Sequence, residues 1–557
     1  MERRPLARLR SDKTNSLIGS VKRDDTQGER MEPTHLFELV IAMFVAIIAL
    51  HYAAHRLGMP PSVALLAGGG LLAFLPGLPT IEIDPALVLV IFLPPLLMDG
   101  AWSISLGRLR RHMIGIASLA VGAVFFTCAI VAVVTHLLLP SLPWAACAAL
   151  GAIVSPPDAV SARAILDRVK LPRRLQILLE GESLLNDASG LVLFRVAIAA
   201  GVTGAFSAVD AVGSFFLLAI GGAVVGIAVG TTWVLFVRRL GDEYLIIAAT
   251  VLLGWISYLL GEQFHVSGVI ATVTTGLIMS WHQHTVLSAS TRMRGSSFWA
   301  VIVFLMEATV FILIGLSLRG VVERGGGFDV VIATMGLPIL VILIALTLAR
   351  FAWAFGSDLV ISLCNLLGVD RYTPLGFRGA TVLSWAGVRG VVTLALALSV
   401  PESFPGRDFI LVTSFAIILG TVLLQGTTLG YVIKWSRLTE PESAKPRFTM
   451  SQAEAAMAQA QWATIQTLAY DSEGNLIHPQ LLQRYQVRAE KIVDYAERTD
   501  HYTPLLHAHF DVVLQAVATG RRELLRLHRA GDIDDETLQE LERDLDLEEL
   551  SAISAKS

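Results

Sequence analysis

The sequence predicts an all-α polytopic membrane protein with about thirteen transmembrane helices, followed by a helical tail. Hydrophobic residues make up 54% of the 557 residues and charged residues only 16%, whereas a soluble protein carries about a quarter charged residues. The mean hydropathy is +0.63. From about residue 36 to residue 435, apolar residues are grouped in blocks of roughly 18 to 28, each long enough to cross a bilayer as a helix.

Thirteen apolar blocks can be delimited. They cover residues 36–54, 62–80, 84–106, 113–139, 143–163, 175–201, 211–236, 243–260, 265–282, 298–318, 329–355, 377–400 and 408–435. If the first six and the last six spans form two inverted repeats, the fifth and the twelfth spans occupy corresponding positions.

The loops between the spans alternate between many and few basic residues. One set of loops contains Arg56, Arg108, Arg110, Arg111, Arg163, Arg168, Lys170, Arg173, Arg174, Arg238, Arg239, Arg292, Arg294, Arg371 and Arg378. The opposite set contains Arg319, Arg324 and Arg407. Because basic loops remain in the cytoplasm, the first span is expected to start outside, and the chain after the last span is expected to be cytoplasmic.

The polarity of the chain predicts three regions. Residues 1–34 are polar and lack the apolar stretch of a signal peptide, so we expect a disordered leader. Its basic residues conflict with an outside location, and Met31 is an alternative start. Residues 35–437 form the transmembrane domain. Residues 438–557 are more acidic than basic and have helical periodicity, so we expect a cytoplasmic helical tail.

The sixth span contains "LLEGESLLNDASGLVLF", with polar residues at membrane depth. Asp187 lies roughly 18 Å into this span, near the bilayer midplane. Ser183 is four residues before it and Asn186 is adjacent, so their oxygen atoms converge on one side of the helix. Such oxygens suit a hard cation such as Na⁺. The alternative is that these residues only hydrogen-bond to neighbouring helices.

Two spans are interrupted by helix-breaking residues. In the fifth span, "GAIVSPPDAVSARAI" places Pro156 and Pro157 between Ser155 and Asp158. The twelfth span contains "SWAGVRGVVTLALAL", in which two glycines flank Arg389. Carbonyl groups left unpaired at a break are tolerated where protein or a water-filled cavity satisfies them. Interruptions at corresponding positions of two repeats indicate the binding site of a transporter, so Ser155 and Asp158 join the candidate ion ligands.

Other intramembrane charges are interpreted as structural. Asp99 and Arg389 are expected to neutralise each other, because a lone buried charge would be very costly. Glu307 and Arg350 are expected to form a second pair.

Two glutamates near the cytoplasmic end of the sixth span have no clear assignment from the sequence. Glu180 and Glu182 either attract cations into a funnel or simply face water.

Several motifs together resemble the monovalent cation/proton antiporters of the sodium–proton exchanger type. These are "FLPPLLMDGAW", "EGESLLNDASGLVLF", "HVSGVIATVTTGLIM", "VFILIGLSL" and "SWAGVRGVVTLALAL", within residues 36–435. The resemblance implies a homodimer. Each subunit would have a dimerisation domain and a mobile core domain, and its fifth and twelfth helices would unwind and cross.

The resemblance also assigns roles to residues. Asp187 would carry the exchanged ion, Asn186 and Ser183 would support it, and Asp99 would pair with Arg389. An asparagine rather than a second aspartate at position 186 is typical of the electroneutral branch. The family commonly has Thr-Asp-Pro where this chain has Ser155-Pro156-Pro157, so either Asp158 replaces the missing carboxylate, or Ser155 and main-chain carbonyls supply the ligands for Na⁺ beside Asp187 and Ser183.

The predicted function is secondary antiport of Na⁺, or of Li⁺ or K⁺, against H⁺, with one-for-one electroneutral exchange in the cell membrane. The partners are the lipid bilayer, the cation and the proton. No cofactor, enzymatic activity or nucleic acid is expected, and no phosphate-binding loop is present in the sequence. The alternatives are a proton-coupled transporter or channel for another solute, and a membrane receptor that signals through its tail.

Overall fold

The computed structural model describes residues 33–76, 85–104, 106–158, 171–204, 208–368, 373–438, 449–497 and 499–556. Most of the predicted leader, the loop with Arg163, Arg168 and Lys170, and Arg371 lie outside the described residues. In the described part the regular structure is helical, apart from an isolated bridge between Tyr470 and Leu476.

The membrane part is built from apolar helices. In chain order they are α1 (Pro33–Leu57), α2 (Pro61–Ala73), α3 (Pro85–Ser103), α4 (Leu106–Ala117), α5 (Val124–Leu138), α6 (Trp144–Val154), α7 (Arg173–Thr203), α8 (Ala208–Val237), α9 (Glu243–Gln263), α10 (Gly268–Val286), α11 (Ala289–Leu316), α12 (Leu318–Arg324), α13 (Phe328–Val330), α14 (Gly336–Leu366), α15 (Gly376–Trp385), α16 (Val391–Leu398), α17 (Arg407–Gly420) and α18 (Thr427–Ser436). Short π-helical segments at Ser118–Ala123, Val331–Met335 and Thr421–Gly426 join α4 to α5, α13 to α14 and α17 to α18.

These helices confirm the predicted class of an all-α polytopic membrane protein. Each of the thirteen predicted stretches contains helix. Within the described residues, eight helical segments are long and apolar enough to cross a membrane, and three further apolar helices are shorter. Side chains cap several helices at the ends of the loops. Asp242, for example, accepts a hydrogen bond from the Leu245 amide at the start of α9.

Both predicted helix breaks are present. Helix α6 ends at Val154, directly before Ser155 and the two prolines, and α15 and α16 are separated by residues 386–390. The two breaks touch each other, because the backbone N–H of Asp158 donates to the carbonyl oxygen of Val388 at 2.7 Å. The fifth and twelfth spans therefore cross where each of them is unwound.

Two of the hydrophobic clusters near these breaks each define a group of helices. The core group consists of α5, α6, α7, α14, α16 and α17, whose buried residues include Val131, Ile153, Phe194, Ile342 and Leu396. The second group consists of α3, α8, α9, α10 and α11, whose buried residues include Met98, Trp233, Leu253, Met279 and Trp299. Helix α7 belongs to the core group, and in a further cluster its residue Ala188 packs with Leu97 of α3 and Tyr258 of α9, which belong to the second group.

Residues 440–557 form a compact unit distinct from residues 1–439. The described part of this unit contains α19 (Met450–Leu468), α20 (Pro479–Glu497), α21 (Thr499–Ala530) and α22 (Asp535–Lys556). A capping box, in which Thr449 and Gln452 exchange hydrogen bonds, starts α19. Arg521 on α21 pairs with Asp546 at 2.5 Å and Glu549 at 2.6 Å on α22. Helical periodicity therefore predicted the secondary structure of the tail.

Candidate functional site

Asn186 and Asp187 lie near the middle of α7 and are both buried. Asn186 is 0% exposed and Asp187 is 8% exposed. The Asn186 side-chain amide donates to the carbonyl oxygen of Pro157 at 2.6 Å, so Asn186 joins α7 to the break after α6. The amide oxygen of Asn186 is buried and has no hydrogen-bond partner among the described residues. An unsatisfied oxygen of this kind is costly and points to a site that a ligand or water completes.

The break after α6 is closed by hydrogen bonds from Arg389. Its guanidinium donates to the carbonyl oxygens of Val154 at 2.8 Å, Ser155 at 3.1 Å and Gly387. The hydroxyl of Ser155 donates back to the carbonyl oxygen of Gly151 in its own helix. Main-chain carbonyls that the break leaves unpaired are thus satisfied by an arginine from the other broken span, as a buried break requires.

The Asp158 carboxylate lies against Gly390, at the start of α16. A Cβ atom added to Gly390 would collide with this carboxylate, so a larger residue at this position would displace Asp158. A negative charge at the N-terminus of a helix is stabilised by the unpaired N–H groups and by the helix dipole. Asp158 therefore lies against the second broken span, to which its backbone N–H also donates at Val388.

Asp187 lines a first cavity of about 50 Å³ together with most of the predicted ligands. Its polar lining consists of Asp99, Asp158, Glu180, Ser183, Asp187 and Glu307. Two predicted ligands, Ser155 and Asn186, are not part of this lining. Because Glu180 lies on the N-terminal half of α7, the first cavity extends from Asp187 toward the end of the helix next to the basic loops.

Asp187 also lines a second cavity, of about 330 Å³, on its other side. The polar residues of this cavity are Arg195, Tyr258 and Glu262, and the remaining lining is apolar. Arg195 lies on the C-terminal half of α7, so the second cavity extends in the opposite direction from the first. One carboxylate, that of Asp187, therefore borders both cavities.

The charged pairs differ from those expected from the sequence. Arg350 on α14 forms a bidentate pair with Glu182 on α7, at 2.6 and 2.9 Å, and both side chains are almost fully buried. The prediction that Arg350 pairs with Glu307 was therefore wrong. Glu182 does not face water, since its side chain is 1% exposed. It precedes Asn186 by four residues and shares its buried face, and this spacing is a signal that the sequence offered.

The predicted ion pair between Asp99 and Arg389 stays a prediction. The hydrogen bonds described for the Arg389 guanidinium go to main-chain carbonyls, which carry partial negative charges. Asp99 lies on the wall of the first cavity, beside Glu307 and Asp187. The sequence could not distinguish these arrangements, because a buried arginine can be satisfied by either kind of acceptor.

The family follows from a match over most of the chain. A family model for the transmembrane part of the sodium/hydrogen exchanger matches residues 40–435. The chain belongs to the sodium/hydrogen exchanger family. An Na⁺/H⁺ exchanger of Mycobacterium tuberculosis is 30% identical to it over 529 residues, which cover 92% of this chain and 96% of the relative.

Two further matches agree with membership of the exchanger family. An antiporter of Bacillus subtilis described for sodium, potassium, lithium and rubidium against H⁺ is 34% identical over 417 residues, which cover 70% of this chain and 60% of the relative. The solved structure of the sodium proton antiporter MjNhaP1 from Methanocaldococcus jannaschii aligns with a TM-score of 0.56 and 21% identity, over 72% of this chain and 98% of that chain. The structural match shows that this exchanger shares the antiporter fold.

Three polar residues of this exchanger were not identified from the sequence. Arg195, Tyr258 and Glu262 line the second cavity with Asp187. Arg195 follows Asp187 by eight residues, about two turns of helix, so its position on the same span was the available signal. Its partner on α9 could not be found by spacing, because the two residues are 67 positions apart.

Proposed function

We propose that this member of the sodium/hydrogen exchanger family exchanges Na⁺ for H⁺ across the cell membrane, with Asp187 as the exchanging carboxylate. The observation that carries the proposal is that the Asp187 carboxylate borders two cavities that extend in opposite directions along α7. A single buried carboxylate can hold a proton or a cation. If the site is open to one cavity at a time, each crossing carries one ion, driven by the gradients alone.

Oxygen atoms around Asp187 fit a hard monovalent cation. We assign Asp187 and Ser183 as ligands, with Asp158 and Asp99 on the same cavity wall. Asn186 holds the break at Pro157 close to the site. Ser155, predicted as a ligand, is assigned a supporting role, since its hydroxyl and its carbonyl are both engaged within the two breaks. No resident cofactor takes part in this scheme.

The membrane arrangement of the protein is part of the same proposal. We infer a multi-pass protein with the start of its first span outside, a cytoplasmic tail at residues 438–557 and a role in pH and sodium homeostasis. The distribution of basic loops supports this orientation. A homodimer is proposed from the family resemblance, and exposed apolar residues on α1, such as Phe37 and Ile48, suit lipid or a second copy.

Potassium is a second candidate substrate. The Bacillus subtilis relative is described for sodium, potassium, lithium and rubidium, and it is 34% identical to this chain. Oxygen ligands alone do not distinguish these cations, because all four are hard and singly charged. The assay below therefore adds each alkali cation separately.

The test of the proposal is the Asp187→Asn variant of the full chain in proteoliposomes. We expect it to insert and fold but to lose cation-dependent proton flux, because the amide cannot trade a proton for a cation. Flux is followed by quenching of a pH-sensitive dye as Na⁺, Li⁺ or K⁺ is added. Asp329→Asn, at an exposed residue of α13, is the matched control and should behave as the unmodified protein. Normal flux in the Asp187→Asn variant would refute the assignment.

A further inference from the structure

An ion pair bridges the two helix groups at the second cavity. Arg195 on α7, in the core group, donates from its Nη2 to both carboxylate oxygens of Glu262 on α9, in the second group, at 2.8 and 3.1 Å. The two side chains are 40% and 33% exposed, so the pair lies at the accessible part of the cavity.

The pair is the charged part of an otherwise apolar passage. The cavity that Arg195 and Glu262 share with Asp187 is otherwise lined largely by aliphatic residues, which include Leu93, Leu191 and Val392. Such walls provide few groups that could screen a charge. Arg195 follows Asp187 by eight residues on one helix, so the guanidinium is attached roughly 12 Å along the helix axis from the exchanging carboxylate. A cation that reaches Asp187 through this cavity enters a space that the Arg195–Glu262 pair lines.

We propose that Glu262 opens this passage to cations by neutralising Arg195. An arginine is always protonated, so without Glu262 its positive charge would repel Na⁺ from the cavity and from Asp187. This inference rests on the proposed function, since it takes Asp187 as the site of exchange. Glu262 acts by neutralising the charge of Arg195. It is not itself a ligand of the cation.

A purely structural role for the pair leads to a different expectation. If the pair only fastened the two helix groups together, removing either partner would break the same contact, and the two single variants would behave alike. Charge neutralisation instead predicts opposite effects. Glu262→Gln leaves a positive charge in the passage, whereas Arg195→Gln leaves a negative charge, which attracts cations.

The experiment measures the apparent KM for Na⁺ on each membrane face, in right-side-out and in inside-out vesicles that contain the full chain. The assay is done at alkaline pH, where protons compete least for Asp187. For Glu262→Gln we expect the KM to rise about tenfold on one face only, as for a unit charge roughly 12 Å away at an effective dielectric constant of about 20. By the orientation proposed above, this face is the outer one.

Further variants distinguish charge neutralisation from a purely structural role of the pair. Arg195→Gln should leave the KM unchanged or lower it, and the Arg195→Gln/Glu262→Gln double variant should return it to within about twofold of the unmodified value. Glu323→Gln removes the carboxylate of another half-exposed arginine pair, Arg319–Glu323, which lines neither cavity, and should change nothing.

Equal effects of the two single variants, an effect of Glu262→Gln on both faces, or no effect at all would overturn the inference. Loss of flux in the Asp187→Asn variant alongside any of these results would leave the proposed exchange intact. Normal flux in the Asp187→Asn variant would instead refute the proposed function itself.

Discussion

At the scale of single residues, the most heavily buried charges of the membrane part are structural. Glu182 and Arg350 satisfy each other, and Arg350 also donates to the carbonyl oxygen of Leu383 at 3.2 and 3.3 Å. A Cβ atom added to Gly387 would lie 2.7 Å from Arg350 and 2.8 Å from Arg389, so both guanidinium groups converge on the second break. Glu182 is thus the carboxylate that offsets a local excess of positive charge.

Glu182→Gln is expected to destabilise the protein strongly. It leaves Arg350 as an unpaired buried charge next to Arg389, at a cost of about 3–5 kcal/mol. The measurement is thermal unfolding in detergent, followed by the loss of the monodisperse peak in size-exclusion chromatography. Glu180→Gln, two residues earlier on the same helix and outside the pair, is the control and should leave Tm nearly unchanged.

The double variant Glu182→Leu/Arg350→Met tests the same pair by removing both of its charges. It should recover part of the stability that Glu182→Gln loses, because apolar residues of similar size often replace a buried pair without loss. If the loss of stability in the double variant equals the sum of the losses in Glu182→Leu alone and Arg350→Met alone, the two residues are not coupled.

At the scale of helices, the two unwound segments are tied together by side chains of neighbouring helices. Asn186 on α7 donates to Pro157 in the first break, and the hydroxyl of Thr421 accepts a hydrogen bond from the Arg389 amide in the second break at 3.1 Å. Helix α7 also packs closely on the first break. A Cβ atom added to Gly190 would collide with the ring of Pro156.

Gly190→Ala is therefore expected to disturb the ion site indirectly, through the first break. The added methyl group must displace Pro156 or α7, at a cost of about 1–3 kcal/mol, and it should slow exchange by shifting the break relative to Asp187. Gly213→Ala, on an exposed position of α8 with open space around it, is the matched control. It should keep full activity and gain slightly in stability, because alanine favours helix. Dye-quench flux and Tm are the two measurements, and unimpaired exchange in Gly190→Ala would contradict the expectation.

Helix-level features were predictable from the sequence where the signal was local. Pro156 and Pro157 cannot donate backbone hydrogen bonds, and this property alone located the first break. The partners across helices were not predictable. Glu182 and Arg350 are 168 positions apart, and each could have paired with several other charged residues at a similar depth. Ser155 was predicted as a ligand because it lies at the first break, and spacing along the chain could not show that its carbonyl accepts a hydrogen bond from Arg389.

At the scale of the whole molecule, Asp187 is the one carboxylate that lines both of the described cavities. Asp158 is the main candidate for a second exchanging carboxylate, since it lines the first cavity with Asp187. Its carboxylate lies against Gly390 at the start of α16, where the unpaired N–H groups and the dipole of the helix stabilise a negative charge. A carboxylate that keeps its charge adds no second proton to the exchange.

We therefore expect electroneutral one-for-one exchange. A second transported charge would make the rate respond to voltage, at roughly 2.3 kcal/mol per charge per 100 mV. The measurement is the current on a solid-supported membrane after a step in Na⁺ concentration, together with flux at potentials clamped by valinomycin. Both should show no dependence on voltage. A sizeable Na⁺-induced current that disappears in Asp158→Asn would overturn the one-carboxylate cycle.

The crossing of the two breaks has a consequence for biosynthesis. The carbonyl of Val154 receives its hydrogen bond from Arg389, which is 235 positions later in the chain. At typical rates of protein synthesis, the ribosome needs roughly 10 to 50 s to make that stretch. During this interval the nascent fifth span exposes unpaired carbonyl groups, which must remain hydrated or be held by the insertion machinery. The first repeat thus cannot complete its own site, and a chain terminated before residue 389 is expected to be a substrate for quality-control proteases.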